Sequence, residues 1–306
     1  PKVNSGISAR NGVAGRAEVD FKYSGPTYLS QDGKVVHTGV ESYESIMKSM
    51  HAEMGTGKNV NEEFQQVGQT ERNLYLAYNR FGKKLQKIAE NQKAALIEKI
   101  GEEKYEKYKK HAKRISAYVH AINYGDYKEG LIDKTTYIRR NKENEFYWPM
   151  QREVDQDNDM IAPPKQGGVA IKAVSRADAN LKEAGFNTEF KVEDLSYNVA
   201  ALTLRSKMLR ANHQINRALY EVAQSGEFGE FIRVFQEGDQ DVTESEGLLE
   251  TGKKDKLTGF QRANIHEFYL DGEKKRIVVS RELVPALVDM EQTGFGFVVK
   301  LLRSVG

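Results

Sequence analysis

Cysteine is absent from all 306 residues. Disulfides, thiolate nucleophiles and sulfur-based zinc or iron–sulfur sites are therefore excluded. No stretch approaches the ~18–20 apolar residues of a membrane-spanning helix. The opening residues, PKVNSGISARNGVAGR, carry no apolar core of the signal-peptide kind. A large net charge is missing too. The 46 Lys and Arg against 44 Asp and Glu leave +2, so no global field draws the chain to nucleic acid or an anionic membrane. No internal repeat of fixed period occurs.

What is present is a polar chain that can still build a core. Charged residues make up 29% and the mean hydropathy is -0.65, yet hydrophobic residues reach 39%, with 13 Phe and 15 Tyr. The length implies two or three structural units, elongated and thinly cored.

Residues 1–57 read as an extended, Gly-rich arm in which TYLSQDGKVV forms a hairpin. Asp32-Gly33 would supply the positive φ angles of a two-residue turn. Helical signals begin near Glu41. Residues 58–150 read as a helical hairpin unit. Leu74, Tyr78, Phe81, Leu85, Ile88 and Leu96 mark one face at helical spacing. Tyr105, Tyr108, Ala112, Ile115, Val119 and Ile122 form a heptad stripe that Gly125 would close as a left-handed cap. A short helix or turn then leads to FYWPM, where Pro149 favours an extended Trp148. Residues 151–192 read as a linker, whose stretch DQDNDMIAPPKQGG holds two prolines, two glycines and an acidic run.

Residues 193–306 read as a helix plus a small α+β unit. Leu195, Val199, Leu202, Leu209, Ile215, Leu219 and Val222 make the helix's buried stripe, and Gly226 stops it. An acidic loop over 237–250 follows. Asp271-Gly272 lies between two alternating runs and predicts a second hairpin. RELVPALVDMEQ predicts a short helix, and an uncapped apolar run into Gly306 suggests that the parent chain continues. The fold class expected is mainly α: long antiparallel helices with a small C-terminal α+β part containing a β-hairpin.

The motifs that would carry chemistry fail on inspection. HAEMGTGKN has Ala52 and Asn59 where a P-loop needs Gly and Ser or Thr, so a glycine-rich helix exit is the better reading. Gly294 and Gly296 lack the third glycine and the strand-then-helix setting of a dinucleotide fingerprint. Asp155, Asp157 and Asp159 start like a calcium loop, but Met160 and Gln166 stand where Gly and Glu are required, so an acidic linker is favoured over loose cation binding. The six histidines, among them His111, His120 and His213, show no metal-ligand spacing. No metal, cofactor or small-molecule substrate is implied, and no catalytic constellation supports an enzyme.

Basic residues offer one binding surface. Arg80, Lys83, Lys84 and Lys87 cluster on one helix, and Lys107, Lys109, Lys110, Lys113 and Arg114 on the next. Arg205, Lys207, Arg210 and Arg217 occupy an acid-free helical stretch. Aligned, these faces would neutralise phosphates of duplex DNA; otherwise they are solvated helix faces. Tyr105 and Tyr108 belong to the apolar stripe and so to the core.

Three pieces, in order, resemble a region shared by the internal virion (DNA-ejection) proteins of tailed bacteriophages and the large polyvalent proteins of mobile elements. They are INYGDYKEGLIDKTTYIRRNKENEFYWPMQR, NVAALTLRSKMLRANHQINRALYEVA and FYLDGEKKRIVVSRELVPALVDM. The resemblance spans roughly residues 100–295 and leaves the first hundred aside. It implies a structural segment packaged inside the capsid and released into the host cell with the genome. Its partners would be sister copies and other ejection proteins. The rival readings are a DNA-contacting helical module, and a non-catalytic part of a virion RNA polymerase or polyvalent enzyme chain.

Overall fold

The computed structural model describes residues 12–81, 83–143, 145–149, 194–227, 229, 231–235, 265–270 and 273–279. The expected linker, acidic loop, calcium-like run, paired glycines and C-terminal helix lie outside these residues. The described part is mainly helical with a small C-terminal antiparallel sheet, the class expected.

Helix α1 (Val13–Val19) continues through a π turn, Asp20–Ser24, which ends at Gly25. The arm is therefore not extended here. Val13, Ala17 and Phe21 recur at helical spacing and are buried, a short stripe that the surrounding Gly, Ser and Asn obscure. Gly25 has φ +78, and a Cβ there would lie 1.8 Å from the Val40 carbonyl oxygen, so only glycine fits.

Strands β1 (Thr27–Leu29) and β2 (Val35–His37) pair antiparallel, from Thr27↔His37 to Leu29↔Val35. The hairpin is present, but its turn is not of the two-residue type. Ser30 N donates to the Lys34 carbonyl (2.9 Å) and Gly33 N to that of Ser30 (2.9 Å), which leaves a three-residue loop with Gly33 at φ +79.

Helix α2 (Tyr43–Met54) is capped by the Ser42 hydroxyl, which accepts from Ser45 N (3.2 Å). Gly55 (φ +86) ends it and Gly57 (φ +134) precedes α3 (Lys58–Leu76), so the P-loop-like stretch is a helix exit. Helix α3 runs into a second π turn, Ala77–Phe81, and α4 (Lys83–Ile100) follows. That turn shifts the register of the expected stripe. Tyr78 and Ile88 are 56% and 37% exposed, and the buried face of α3 is instead Phe64, Val67, Thr70, Asn73 and Leu76.

Helix α5 (Glu102–Lys128) buries the whole expected stripe from Tyr105 to Ile122. It does not stop at Gly125. Gly130 (φ +77) takes the left-handed position beyond it, and Gly125 serves a close approach described below. Helix α6 (Lys134–Glu143) is capped by Asp133, whose carboxylate accepts from Thr136 N (2.6 Å). Trp148 follows and is almost wholly buried against α3. A Cβ on Gly68 would meet its ring at 2.3 Å.

Helix α7 (Leu195–Ser225) is capped by Asp194 and ends at Gly226, whose φ of 70 is the left-handed stop that the sequence predicts. Strands β4 (Ile265–Leu270) and β5 (Glu273–Val279) pair from Ile265↔Val278 to Leu270↔Glu273, consistent with the second hairpin. A short strand not anticipated, β3 (Ile232–Val234), pairs with the other edge of β5 and gives the order β3-β5-β4.

The main core joins Phe21, Tyr43, Ile46, Phe64, Tyr105, Ile115, Trp148 and Val199. A smaller core packs Ala223 of α7 against Ile232, Phe268, Ile277 and Val279 of the sheet. No described helix is long and apolar enough to cross a membrane.

Candidate functional site

The densest group of buried charge lies on the middle turns of α7. The buried face begins with Leu195 and Val199, then continues through Thr203, Ser206, Lys207, Arg210 and His213. The helical spacing persists while the chemistry changes from apolar to polar. Asp126 and Glu129 from the end of α5 meet this face, as do Asp20 from the first π turn and Thr27 from β1.

Arg210 is at the centre and is 2% exposed. Its Nε lies 2.9 Å from Asp126 Oδ1, and Nη1 donates to Glu129 Oε1 (3.0 Å) and to the Thr27 carbonyl (2.9 Å). Nε and Nη2 also donate to the Ser206 hydroxyl, which in turn donates to Asp126 Oδ1 (2.5 Å). A Cβ on Gly125 would fall 2.4 Å from Arg210 Nη1, so that glycine clears the path of the guanidinium.

Lys207 completes the group. Its ammonium lies 2.8 Å from Asp20 Oδ2 and donates to the carbonyl and hydroxyl oxygens of Thr27, both at 2.7 Å. Asp20 also accepts from Thr27 N and Thr27 Oγ1, each at 2.8 Å. Glu129 additionally accepts from Leu29 N (3.0 Å) and Gln214 Nε2 (2.7 Å), which pins β1 to α5 and α7.

Burial and the neighbouring Arg210 pull the Lys207 ammonium down to about 8, against the opposing attraction of Asp20. Burial likewise lowers Arg16, which borders the group and feels Glu129 and Asp20 on one side and Arg210 on the other. A small cleft borders the group and is lined in part by Arg16, Leu29, Val35 and Gln214. The arrangement is a set of crosslinks. Three cations and three carboxylates from α1, α5, α7 and the first π turn balance one another within hydrogen-bond or Coulomb range. Among the described residues no group of three or more His, Asp or Glu could hold a metal ion.

A second polar group joins α2 to α5. Arg114 grips Glu41 with two bonds (2.6 and 2.5 Å) and also donates to Ser49 Oγ (2.9 Å) and His111 Nδ1 (2.8 Å). With Nδ1 accepting, His111 Nε2 carries the hydrogen and donates to Glu53 Oε2 (2.9 Å). The Arg114 hydrogen bonds hold the Glu41 carboxyl below its usual range, against the effect of burial.

The basic residues picked out for DNA therefore separate. Lys207 and Arg210 are buried and ion-paired, so they are withdrawn from any surface. Arg114 is committed to Glu41, and Lys109 sits 3.5 Å from Glu71 and 3.6 Å from Glu106. Lys83, Lys87, Lys110, Lys113 and Arg205 are exposed, and the Lys84 side chain lies outside the described residues. Within the acid-free stretch of α7, Lys207 and Arg210 turn inward while Arg205 stays exposed.

Sequence reasoning missed Asp20, Thr27, Asp126 and Glu129 altogether. The available signal was geometric: Thr203, Ser206, Arg210 and His213 continue the spacing set by Leu195 and Val199.

No family model, curated protein or solved structure matches this chain.

Proposed function

We propose that the chain is a non-enzymatic structural segment of an internal virion, or DNA-ejection, protein of a tailed phage. It is packaged in the capsid and released into the host cell with the genome. Its partners are sister copies and other ejection proteins. The reading draws on the three-part resemblance, and the observation that carries its structural side is the buried ionic group. Charges from segments nearly two hundred positions apart, such as Asp20 and Lys207, are spent on holding the fold together.

Mass spectrometry of purified particles tests it. Peptides such as ANIHEFYLDGEK, recovered from virions and assigned to a much larger parent chain, are the expected result. A free protein near 34.7 kDa that is absent from particles would overturn the reading.

A second reading, contact with duplex DNA, is favoured only by the exposure of Lys83, Lys87, Lys110, Lys113 and Arg205. Affinity for duplex that falls steeply with salt would support it, and no binding at low salt would end it.

A further inference from the structure

Where α5 turns into α6, four half-buried tyrosines touch in series. Tyr28 meets Tyr124 edge-on at 5.7 Å between centroids, Tyr124 meets Tyr137 at 5.9 Å, and Tyr137 stacks on Tyr127 at 5.1 Å and 14°. The exposed Lys128 ammonium hovers over two of these rings, 5.5 Å from Tyr124 and 6.0 Å from Tyr127. Helix α6 itself, KTTYIRRNKE, carries Lys134, Arg139, Arg140 and Lys142 against a single acid. Lys134, Arg139 and Lys142 are exposed. The nearby carboxylate of Glu129 is spent on Arg210, Gln214 and Leu29 N.

We propose that Tyr124, Tyr127 and Tyr137, with Lys128, Lys134 and Arg139, form a platform for single-stranded nucleic acid. Two requirements meet here. Bases out of a duplex need aromatic faces, and the phosphates between them need cations. Lys128 occupies the ring faces in the absence of a ligand and is long enough to swing to a phosphate when a base replaces it. The surface is also held in place. Tyr75 donates to the Lys142 carbonyl (2.8 Å), and His120 bridges Asn141 (2.9 Å) and the Glu145 carbonyl (3.0 Å). A duplex hides its base faces, and an acidic peptide brings charge without bases to stack, so the single strand is the occupant that uses both halves. The inference goes beyond the structural reading above and does not depend on it.

The test uses the full chain and fluorescence anisotropy with a labelled oligothymidine of about 20 nucleotides, longer than a typical single-strand site. Binding that weakens as salt rises from about 50 to 200 mM is expected. Tyr127→Leu weakens it by about tenfold, the scale of one lost base–aromatic stack. Arg139→Glu weakens it further, and Lys48→Glu on the distant exposed face of α2 leaves it unchanged. If Tyr127→Leu lowers the melting temperature, Arg139→Glu and Lys134→Glu, both at exposed positions, decide the matter. No binding at low salt, or equal competition by duplex or polyglutamate, overturns the proposal. So does undiminished binding by the well-folded variants.

Discussion

Helix α5 enters two interiors of opposite chemistry. From Tyr105 to Ile122 it buries rings and branched chains against α2, α3 and α7, and its tyrosine hydroxyls bond Glu71, Glu63 and the buried Thr203. One turn later it delivers Asp126 and Glu129 to Arg210. Helix α7 makes the same change in parallel, from Leu195 and Val199 to Ser206, Lys207 and Arg210. The apolar half gains by burial and tolerates substitutions of similar volume. The ionic half gains little net energy as a set, because desolvation offsets the attraction, but it fails badly when one member goes.

That asymmetry sets the largest expected effect. Arg210→Ala leaves Asp126 and Glu129 buried without their cation and should cost about 3–5 kcal/mol, read from urea unfolding. Arg210→Lys should recover little of it, since one ammonium cannot replace a fork that reaches Asp126, Glu129 and Thr27 together. A loss below about 1 kcal/mol would mean that water readily enters the group and that the two interiors do not differ in kind.

Next in size is the response to pH. Lys207 releases its proton near pH 8 in the folded chain and near its ordinary value of 10.5 in the unfolded chain. Between those values the unfolded state holds more protons, so stability rises with pH, by at most about 3 kcal/mol. The apolar half answers with the opposite sign. Burial pushes the hydroxyls of Tyr43, Tyr105, Tyr108 and Tyr118 well above their ordinary 10. Above pH 10 the folded state therefore holds more protons and stability falls. The expected curve climbs from about pH 8 to 10 and then drops, and Lys207→Met should abolish the climb but keep the drop. A flat profile across pH 8 to 10 in the unsubstituted chain would show that Lys207 is less shielded than the geometry implies.

A smaller test belongs to the apolar half. Gly68→Ala places a methyl 2.3 Å from the Trp148 ring, and neither helix backbone nor buried indole can yield freely. A cost of about 1–3 kcal/mol is expected in the same unfolding assay. No cost would mean that Trp148 repacks and that this core is looser than the ionic group.

The two interiors also differ in how far the sequence discloses them. Periodicity alone picks out Tyr105 to Ile122, because apolar residues repeated at heptad spacing are what a buried helix face requires. It finds the second hairpin and the stop at Gly226 for similar reasons of local chemistry. The π turns break it. One residue added at 77–81 moves Tyr78 and Ile88 out of the face they would otherwise share with Leu96. Lys207 and Arg210 mislead in another way: in sequence they look like solvated cations, and their partners Asp20, Asp126 and Glu129 lie in other segments. Gly125 shows the same limit. Its glycine is required by Arg210, some eighty positions away, rather than by the end of its own helix.

The smallest expected effect separates lysines that sequence alone treats as equivalent. Lys113 and Lys207 both sit inside long helices and both belong to basic clusters. Lys113 is exposed, whereas Lys207 is 6% exposed and bound to Asp20 and Thr27. Lys113→Ala should change the unfolding free energy by no more than about 0.5 kcal/mol, as for most surface positions. It removes no crosslink, and alanine is if anything the better helix former. Lys207→Ala, in contrast, leaves the Asp20 carboxylate buried beside Thr27 without its cation and should cost several times as much. Equal costs at the two sites would mean that the carboxylate finds other partners. The ionic group would then contribute to the shape of this fold without holding it together.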